Sequence, residues 1–595
     1  MNKSAETPHA IVATDCGSTT TKAILIEERE GEYRLTARGE APTTVEAPAE
    51  DVTLGVRNAV AELSELIGRP LLDEQRRLIK PYDGKRGMDM YLSTSSAGGG
   101  LQMVVAGVVR QMSAASAQKA ALGAGAVVME TFAANDRRLA HEKTELIRHL
   151  RPDMVLLAGG VDGGTKKHVT ELAQLFAAAD ARPRLGSSYS LPVIYAGNAE
   201  AREAVREILQ GRVALEIVDN LRPSLERENL QPARLKIQEQ FLEHVMAHAP
   251  GYPNLMAMAD RPIMPTPAAV GSIIQRVAAK YKANVVGVDI GGATTDVFSV
   301  FSGVYNRTVS ANYGMSYSIS NVLSEAGTAN VKRWVPFDIA ENELRNSLKN
   351  KMIRPTSIPY TPEDLQLEQA LCREALRLSF EQHRLLASGL KGVQRGADIG
   401  AMFEQDSDDG SLVNLLELDM IIGSGGVLSH APKRAQAALM MLDAFLPEGI
   451  TRLTVDSIFM MPQLGVLGEV FPDIATGVFE KDCLVELGTG VAPVGPGKQG
   501  RTVLTGRIGD ENISLSYGEL RLLPLACGQK VRAELQPSRG LDLGAGPGRL
   551  WKGVLYGGEA GIMLDGRGRR PFGWAPDEEQ RLLQVKRWAE AAAAV

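Results

Sequence analysis

The chain has 595 residues and a formal net charge of −6; 44% of its residues are hydrophobic and 23% are charged. This length predicts several domains rather than one core, and the composition excludes a largely disordered chain. Neither nucleic acid nor a membrane is an expected partner, because the sequence has no long run of Lys or Arg and no apolar run long enough to span a bilayer.

The amino-terminal part of the chain predicts a series of strands followed by a helix. The strands cover residues 11–15, 22–27 and 33–42. Apolar residues then recur at helical spacing over 51–67. A further strand over 88–93 enters the sequence STSSAGGG. We therefore expect a β-rich start that is covered by at least one helix.

Strands that end in glycine turns recur further along the chain. Residues 153–157 and 191–195 run into AGGVDGG and AGN, and a strand over 284–289 ends in GGATTD before strands over 297–301 and 304–309. Strands that alternate with helical segments indicate parallel α/β layers rather than a sandwich. The predicted fold class is therefore α/β.

The remaining segments complete a predicted division into domains. A helical insert, a strand that enters GSGGVLSH, and a glycine-rich region with short β-like runs follow the second set of strands. The predicted division is a first lobe over 9–220, a helical junction over 221–266, a second lobe over 267–480 with a helical insert at about 319–415, a C-terminal β-rich domain over 481–575 and a terminal helix or tail over 576–595.

Two short matches within the chain predict an internal duplication. The frame D-x-G-x-x-T-T occurs at Asp15 to Thr21 and again at Asp289 to Thr295. Later, DMVLLAGGV at residues 153–161 matches DMIIGSGGV at residues 419–427. The two matches stand in the same order at similar separations, which favours two related lobes.

The D-x-G-x-x-T-T frame has the chemistry of a phosphate-binding hairpin. A strand carries an acid to its carboxyl end, glycine permits a tight turn, and the next residues expose backbone N–H groups and hydroxyls. Two such hairpins facing each other would hold a polyphosphate, with Asp15 and Asp289 binding Mg²⁺ or its waters. Lys22 either adds a charge near the phosphates or projects into solvent.

The candidate site residues follow from these two hairpins and from the later glycine turn, which suits an adenosine or an α-phosphate. Asp15 and Asp289 are the candidate catalytic and metal-binding carboxylates. Asp296 either orients water or, as we favour, caps the following turn. The candidate nucleotide-binding residues are Gly17, Ser18, Thr19, Thr20, Thr21, Lys22, Gly291, Gly292, Ala293, Thr294, Thr295, Ser424, Gly425 and Gly426.

These motifs resemble those of the actin, sugar kinase and heat-shock chaperone ATPase superfamily. DCGSTTTK is similar to its first phosphate motif, DIGGATTD to its second and IIGSGG to its adenosine motif. More narrowly, LSTSSAGGGLQMVVAGVV, LLAGGVDGGTKKH, VDIGGATTDVFSV and MMPQLGVL resemble the glutamate mutase accessory proteins called GlmL or MutL, over about residues 9–475. The resemblance implies two duplicated actin-like, ribonuclease H-like ATPase lobes.

The resemblance also implies a function. A member of this family is expected to bind and hydrolyse ATP with Mg²⁺ and to reactivate an adenosylcobalamin-dependent mutase by exchanging damaged cobalamin. The implied partners are the subunits of that mutase, of glutamate mutase or aminomutase type, and a second copy of the chain in a homodimer. Four scattered cysteines and an amino terminus without the apolar stretch of a signal peptide predict a cytoplasmic location.

Two alternatives within the same fold stay open at the level of sequence. A small-molecule kinase would need a catalytic acid aimed at a substrate hydroxyl, and no residue identifies itself as that acid. An activator ATPase of another radical enzyme would need a cysteine pair for an iron–sulfur cluster, and four scattered cysteines do not favour one.

Overall fold

A computed structural model describes residues 7–17, 20–45, 48–96, 101–184, 190–245, 250–355, 357–387, 411–569 and 572–593. The described chain forms two compact units. The first consists of residues up to 276 together with 460–482, and the second contains the remaining residues from 277 onward. Among the described residues, no helix is both long enough and apolar enough to cross a bilayer.

The elements of the first half alternate between strands and helices. In chain order they are β1 (Ala10–Cys16), β2 (Thr20–Arg29), β3 (Glu32–Pro42), α1 (Val52–Ile67), β4 (Met90–Ser95), β5 (Gln102–Gly107), α2 (Ala115–Gly123), β6 (Val127–Ala133), α3 (Ala140–Leu150), β7 (Met154–Leu157), α4 (Lys167–Ala179), β8 (Pro192–Tyr195), α5 (Arg202–Leu209), β9 (Ala214–Ile217), α6 (Gln231–Gln240), α7 (Tyr252–Met258), β10 (Met264–Pro265) and α8 (Thr266–Tyr281).

The second half continues in the same manner and ends in a β-rich region. Its elements are β11 (Val285–Ile290), β12 (Thr295–Phe301), β13 (Val304–Ser310), α9 (Ile319–Ala326), α10 (Thr328–Lys332), α11 (Glu341–Ile353), α12 (Pro362–Leu386), β14 (Met420–Ser424), α13 (Gly426–Ser429), α14 (Arg434–Phe445), β15 (Gly449–Asp456), α15 (Met461–Gly468), α16 (Pro472–Val478), β16 (Leu484–Ala492), β17 (Thr502–Ile508), β18 (Glu511–Ser516), β19 (Leu520–Leu523), β20 (Lys530–Pro537), β21 (Trp551–Tyr556), β22 (Ile562–Asp565) and α17 (Glu578–Ala593).

Two sheets in the chain share one strand order. In the first unit the order is β10-β4-β1-β2-β3, and in the second the order begins β13-β12-β11-β14-β15. In both, three strands form an antiparallel meander, and two more strands pair in parallel beside the first strand of that meander. The central strands β1 and β11 are almost wholly buried, which explains their continuous apolar runs. These duplicated α/β lobes have the actin-like, ribonuclease H-like topology predicted from the sequence.

The stretch of chain between β4 and β10 forms a separate parallel sheet in the first lobe. Its order is β6-β5-β7-β8-β9, and all its strand pairs are parallel. The strand β7 that carries DMVLLAGGV therefore belongs to this inserted sheet, whereas β14 of DMIIGSGGV pairs with β11 in the second lobe. The counterpart of β14 in the first lobe is β4. The second sequence match is thus not a structural equivalence; both segments are buried parallel strands that end in glycine turns, and that shared context produces similar residues.

The helical insert and the C-terminal β region are present, with two differences from the predicted division. The helices α9 to α12 form the insert, and a four-stranded sheet of order β18-β17-β20-β21 forms the small β region. However, β16, β22 and β19 extend the sheet of the second lobe. In addition, α15 and α16 belong to the first unit, where α15 packs against β1 and β4.

A buried ion cluster holds the C-terminal segment in the second lobe. Asp565 accepts hydrogen bonds from Arg567 and Arg569 at 2.8 Å each, and all three side chains are almost completely buried. Arg567 also pairs with Asp443 of α14 at 2.7 Å. Burial alone would raise the pKa of Asp565, but the two guanidinium groups hold it well below its usual value of 3.8.

The variant Asp565→Asn should destabilise the second lobe by about 3–5 kcal/mol, because it leaves two buried guanidinium groups without their shared charge. Since the pKa of Asp565 is lowered by folding, its stabilisation is present above pH 3.8 and is lost as the pH falls through and below that value. Thermal unfolding of variant and wild type from pH 3 to pH 8 measures this. Asp510→Asn, which removes a fully exposed carboxylate paired with Arg507, is the control and should leave the melting temperature unchanged. An equal effect of both variants would contradict the role of the cluster.

Candidate functional site

Each lobe carries the D-x-G-x-x-T-T segment as a tight hairpin between its first two strands. In the first lobe the N–H of Gly17 donates to the carbonyl of Thr20 at 3.1 Å, and in the second the N–H of Gly291 donates to the carbonyl of Thr294 at 2.8 Å. The spacing of the motif therefore produces the same closed turn twice. Ser18 and Thr19 lie outside the described residues.

The segment that follows β13 holds the carbonyl groups of the second hairpin. The carbonyl of Gly291 accepts from the N–H of Met315 at 2.9 Å, and the carbonyl of Gly292 accepts from the N–H groups of Ser316 and Tyr317 at 2.9 Å each. The carbonyl of Ala293 accepts from the hydroxyl of Ser318 at 2.6 Å. Three successive carbonyl oxygens thus point toward one segment.

The peptide geometry then fixes where the N–H groups of this hairpin point. In a planar trans peptide the C=O and N–H bonds are antiparallel. The N–H groups of Gly292, Ala293 and Thr294 share peptides with the three bonded carbonyls, so they point away from the supporting segment. Successive N–H groups that converge on one side form a concavity that binds anions.

The supporting segment is a part of the site that the sequence analysis missed. A Cβ atom at Gly314 would lie 2.4 Å from the carbonyl carbon of Ala293 and 2.5 Å from the carbonyl oxygen of Gly292. Only glycine permits this approach. The one sequence signal is the run of small and hydroxyl residues in YGMSYS directly after β13.

In the first lobe, two threonines from distant parts of the chain hold the carboxylate of Asp15. Its Oδ1 accepts from the hydroxyl of Thr266 at 2.6 Å and from the hydroxyl of Thr94 at 2.7 Å. Burial raises the pKa of Asp15, although these bonds and the charge of Lys22 act in the opposite direction. Burial likewise raises the pKa of Cys16 to about 12, which fits a neutral packing residue. Thr94 and Thr266 were not identified from the sequence.

The second threonine of each T-T pair is buried and bonded within its own lobe. The hydroxyls of Thr21 and Thr43 lie 2.9 Å apart, and Thr43 donates to the carbonyl of Gly17 at 2.8 Å. The hydroxyl of Thr295 donates to the carbonyl of Tyr313. These hydroxyls support the hairpins, whereas Thr20 and Thr294 at the turn are only half-buried.

The strand register shows that the two hairpins differ in charge. Asp15 lies opposite Lys22, and Asp289 lies opposite Asp296 at the equivalent position. Asp296 pairs with the buried side chain of Arg307 at 2.6 Å. Asp296 therefore bonds a residue of the neighbouring strand β13. The structure shows this pair instead of the cap of the following turn that we expected.

The glycine turn after β14 passes directly behind the second hairpin. Gly425 has a φ of +115°, and a Cβ atom there would lie 2.2 Å from the carbonyl oxygen of Ile290. Ser424 is buried beside Asp289 in the parallel register, while Gly426 is exposed with open space around it. The turn thus brings bare backbone to the strand end that carries Asp289.

An open cavity of about 680 Å³ lies in the second unit next to these elements. Gly291 and Gly292 line one part of it, Gly426, Val427 and the residues from His430 to Pro432 line another, and the connection between α11 and α12 lines a third. This volume is in the range of small-molecule and cofactor sites, about 300–1,000 Å³. The structure therefore gathers the hairpin, the glycine turn and the helical insert around one space.

The carboxylates fit a metal that is held mainly by water and phosphate. Among the described residues, no group of three His, Cys, Asp or Glu side chains is arranged to bind a metal ion. Mg²⁺ usually retains several waters and needs only one or two protein carboxylates beside substrate phosphates. Asp289 is half-buried at the end of β11 and would be one such carboxylate.

Comparisons with known proteins identify relatives of the chain. Residues 11–483 match the family model described as MutL protein. Protein MutL from Clostridium tetanomorphum is 28% identical over 499 residues, which cover 79% of this chain and 98% of the relative. Among solved structures, nucleotide-free acetone carboxylase is 11% identical with a TM-score of 0.29, covering 86% of this chain and 81% of that one. Xylulose kinase from Bifidobacterium adolescentis is 11% identical with a TM-score of 0.27, covering 81% of this chain and 96% of that one.

Neutralising Asp15 of the first hairpin and Asp296 of the second should change the melting temperature in opposite directions. Because folding raises the pKa of Asp15, this carboxyl does not destabilise the fold below its ordinary pKa of 3.8 and destabilises it increasingly as the pH rises through the raised value. Asp15→Asn removes this destabilisation, so its melting temperature should exceed that of the wild type at pH 8, with the difference shrinking toward pH 4.

The matched variant is Asp296→Asn, which removes the carboxylate that pairs with the buried side chain of Arg307 and should cost at least about 1 kcal/mol. Thermal unfolding without nucleotide or divalent cation measures both variants. A lower melting temperature of Asp15→Asn at pH 8 would contradict a raised pKa of Asp15 in the folded protein.

Proposed function

The chain belongs to the MutL protein family, which the sequence motifs predicted, and we propose that it is an ATP-binding and ATP-hydrolysing accessory protein of an adenosylcobalamin-dependent mutase. In this proposal it reactivates a mutase of glutamate mutase or aminomutase type by exchanging damaged cobalamin. The observation that carries the proposal is the row of N–H groups at Gly292, Ala293 and Thr294 beside an open cavity.

We assign the phosphates of ATP to the hairpins. The three N–H groups of the second hairpin donate to phosphate oxygens at no cost to the fold, because their carbonyls are already bonded. The hydroxyl of Thr294 adds a donor at the same turn. In the first hairpin, the sequence motif favours the hydroxyl of Thr20 and the charge of Lys22 as phosphate-binding groups.

We assign the nucleoside to the cavity of the second unit. Gly426 presents backbone without a side chain, which lets an α-phosphate or a ribose approach closely. The volume of about 680 Å³ accommodates a nucleoside. The same space touches Gly291 and Gly292, so one ligand can reach both the turn and the hairpin.

Hydrolysis requires that charge on the transferred phosphoryl group be stabilised and that a water be positioned. Mg²⁺, when bound, neutralises charge on the phosphate oxygens. Asp289, which is half-buried at the strand end, would hold the waters of that ion. Asp15 would serve the same purpose in the first lobe, where Thr94 and Thr266 fix the direction of its carboxylate.

The accessory role follows from differences between the ATP-bound and ADP-bound states. A ligand shifts a conformational equilibrium only by its differential affinity for the two states. Thr266 is the first residue of α8, and the chain passes from the first unit to the second within this helix. A change in the contacts of Asp15 therefore acts directly on the start of the connecting helix, which provides a route from hydrolysis to movement.

The variant Asp289→Asn should lower kcat for ATP hydrolysis by at least about 100-fold, because it removes the charge that holds the metal waters. Its melting temperature should stay close to that of the wild type. The measurement is steady-state phosphate release with saturating Mg²⁺ and ATP. Asp510→Asn serves as the control, because it removes an exposed acid remote from the hairpins in sequence. Unchanged turnover in Asp289→Asn would exclude this carboxylate from the chemistry.

The partner is tested by affinity purification from the native cell, followed by an ATPase assay with the captured protein. We expect a cobalamin-dependent mutase to be recovered and to change the rate of ATP turnover. Recovery of no cobalamin enzyme, together with ATP-dependent phosphorylation of a metabolite, would replace this proposal with a small-molecule kinase.

A further inference from the structure

The end of α11 and its connection to α12 expose apolar side chains to an unusual degree. Tyr360 is 87% exposed, Ile353 is 80% exposed and Ile358 is 73% exposed. An exposed apolar side chain on its own needs no explanation, but three within eight residues form a local apolar surface. Tyr360 and Ile358 also line the cavity that contains Gly291 and Gly292.

Local interactions fix the backbone on which Tyr360 stands. Thr361 caps α12, because its hydroxyl accepts from the N–H of Asp364 at 3.0 Å while the carboxylate of Asp364 accepts from the N–H of Thr361 at 3.2 Å. Pro359 and Pro362 lie on either side of Tyr360 and Thr361 and restrict the backbone there further. The ring of Tyr360 is therefore exposed on a fixed support.

An ion pair ties the two helices together beside this connection. Lys351 of α11 and Glu368 of α12 lie 2.5 Å apart, and both line the cavity. Because each partner is mostly buried, the pair is worth more than an exposed one. It keeps the ends of α11 and α12 at a defined separation, which holds the connection in place along the cavity.

The other residues of the cavity show which part of a nucleotide this surface can take. The phosphates are assigned to the N–H groups of the hairpin at Gly291 and Gly292. Val427, Ala431 and Pro432 line the cavity with apolar surface, and none of them offers a hydrogen bond from its side chain. The space bordered by these residues and by Tyr360 and Ile358 suits a flat, weakly solvated group.

We propose that Tyr360, supported by Ile358, is the stacking platform for the adenine base, so that the helical insert contacts the nucleotide directly. The proposal rests on the proposed function and adds the residue that holds the base. An aromatic ring stacks on the face of a base without regard to its hydrogen-bonding edge. Stacking buries a ring that is otherwise exposed, which is the source of the affinity.

The test compares ATP with tripolyphosphate, which has the phosphates but no base. Dissociation constants are measured by calorimetry on the full chain in Mg²⁺ for the wild type, Tyr360→Ala and Tyr360→Phe. Tyr360→Ala should weaken ATP binding about tenfold and leave tripolyphosphate binding unchanged. Tyr360→Phe should bind both ligands like the wild type, because the ring is kept.

The control is Leu385→Ala, which removes a side chain that is 74% exposed on the same insert but does not line the cavity. Its ATP affinity should not change. Equal ATP affinity in Tyr360→Ala and wild type would overturn the platform, as would a parallel loss of tripolyphosphate binding. A loss in Tyr360→Ala of mutase binding alone would overturn it in favour of a protein-docking surface. Failure of the wild type itself to bind ATP would instead refute the proposed function.

Discussion

The antiparallel direction of C=O and N–H within a peptide is the constraint on which the site depends. A turn that presents three N–H groups to an anion must place three carbonyls somewhere else. In the second lobe these carbonyls accept hydrogen bonds from four successive residues, Met315, Ser316, Tyr317 and Ser318. Gly314 permits the close approach that this requires. The outward direction of these N–H groups therefore depends on two segments together, the D-x-G-x-x-T-T hairpin and the segment after β13.

The sequence predicted the parts of this arrangement that are local. The closed turns at Gly17 and Gly291, the antiparallel strands beside them and the α/β class follow from spacing and turn chemistry, and the structure agrees. Contacts between distant segments could not be predicted in this way. Thr94 and Thr266 lie 79 and 251 residues from Asp15, and nothing in their local sequence marks them as its partners. The match between DMVLLAGGV and DMIIGSGGV was misleading for a related reason, because burial on both faces of a parallel strand selects similar residues wherever the strand lies.

Duplication produced two hairpins of the same shape, and substitution made them chemically different. The acid of the first hairpin is opposite Lys22 and accepts from two threonines. The acid of the second is opposite Asp296, whose own charge is balanced by Arg307 rather than by a ligand. The first hairpin thus has a lysine opposite its acid, whereas the second has another acid at that position.

The C-terminal segment is part of the same lobe, although the family match ends at residue 483. Asp443 of α14 bonds Arg567 from this segment at 2.7 Å and Arg373 from α12 of the insert at 2.6 Å. A single buried carboxylate therefore joins the insert that carries Tyr360 to the segment beyond the family match. The aromatic rings of Trp334, Phe572, Trp574 and Trp588 pack together beside this contact. Removing the C-terminal segment would leave Asp443 with Arg373 as its partner and would expose this aromatic cluster, so the position of the insert depends on residues that the shared family region does not contain.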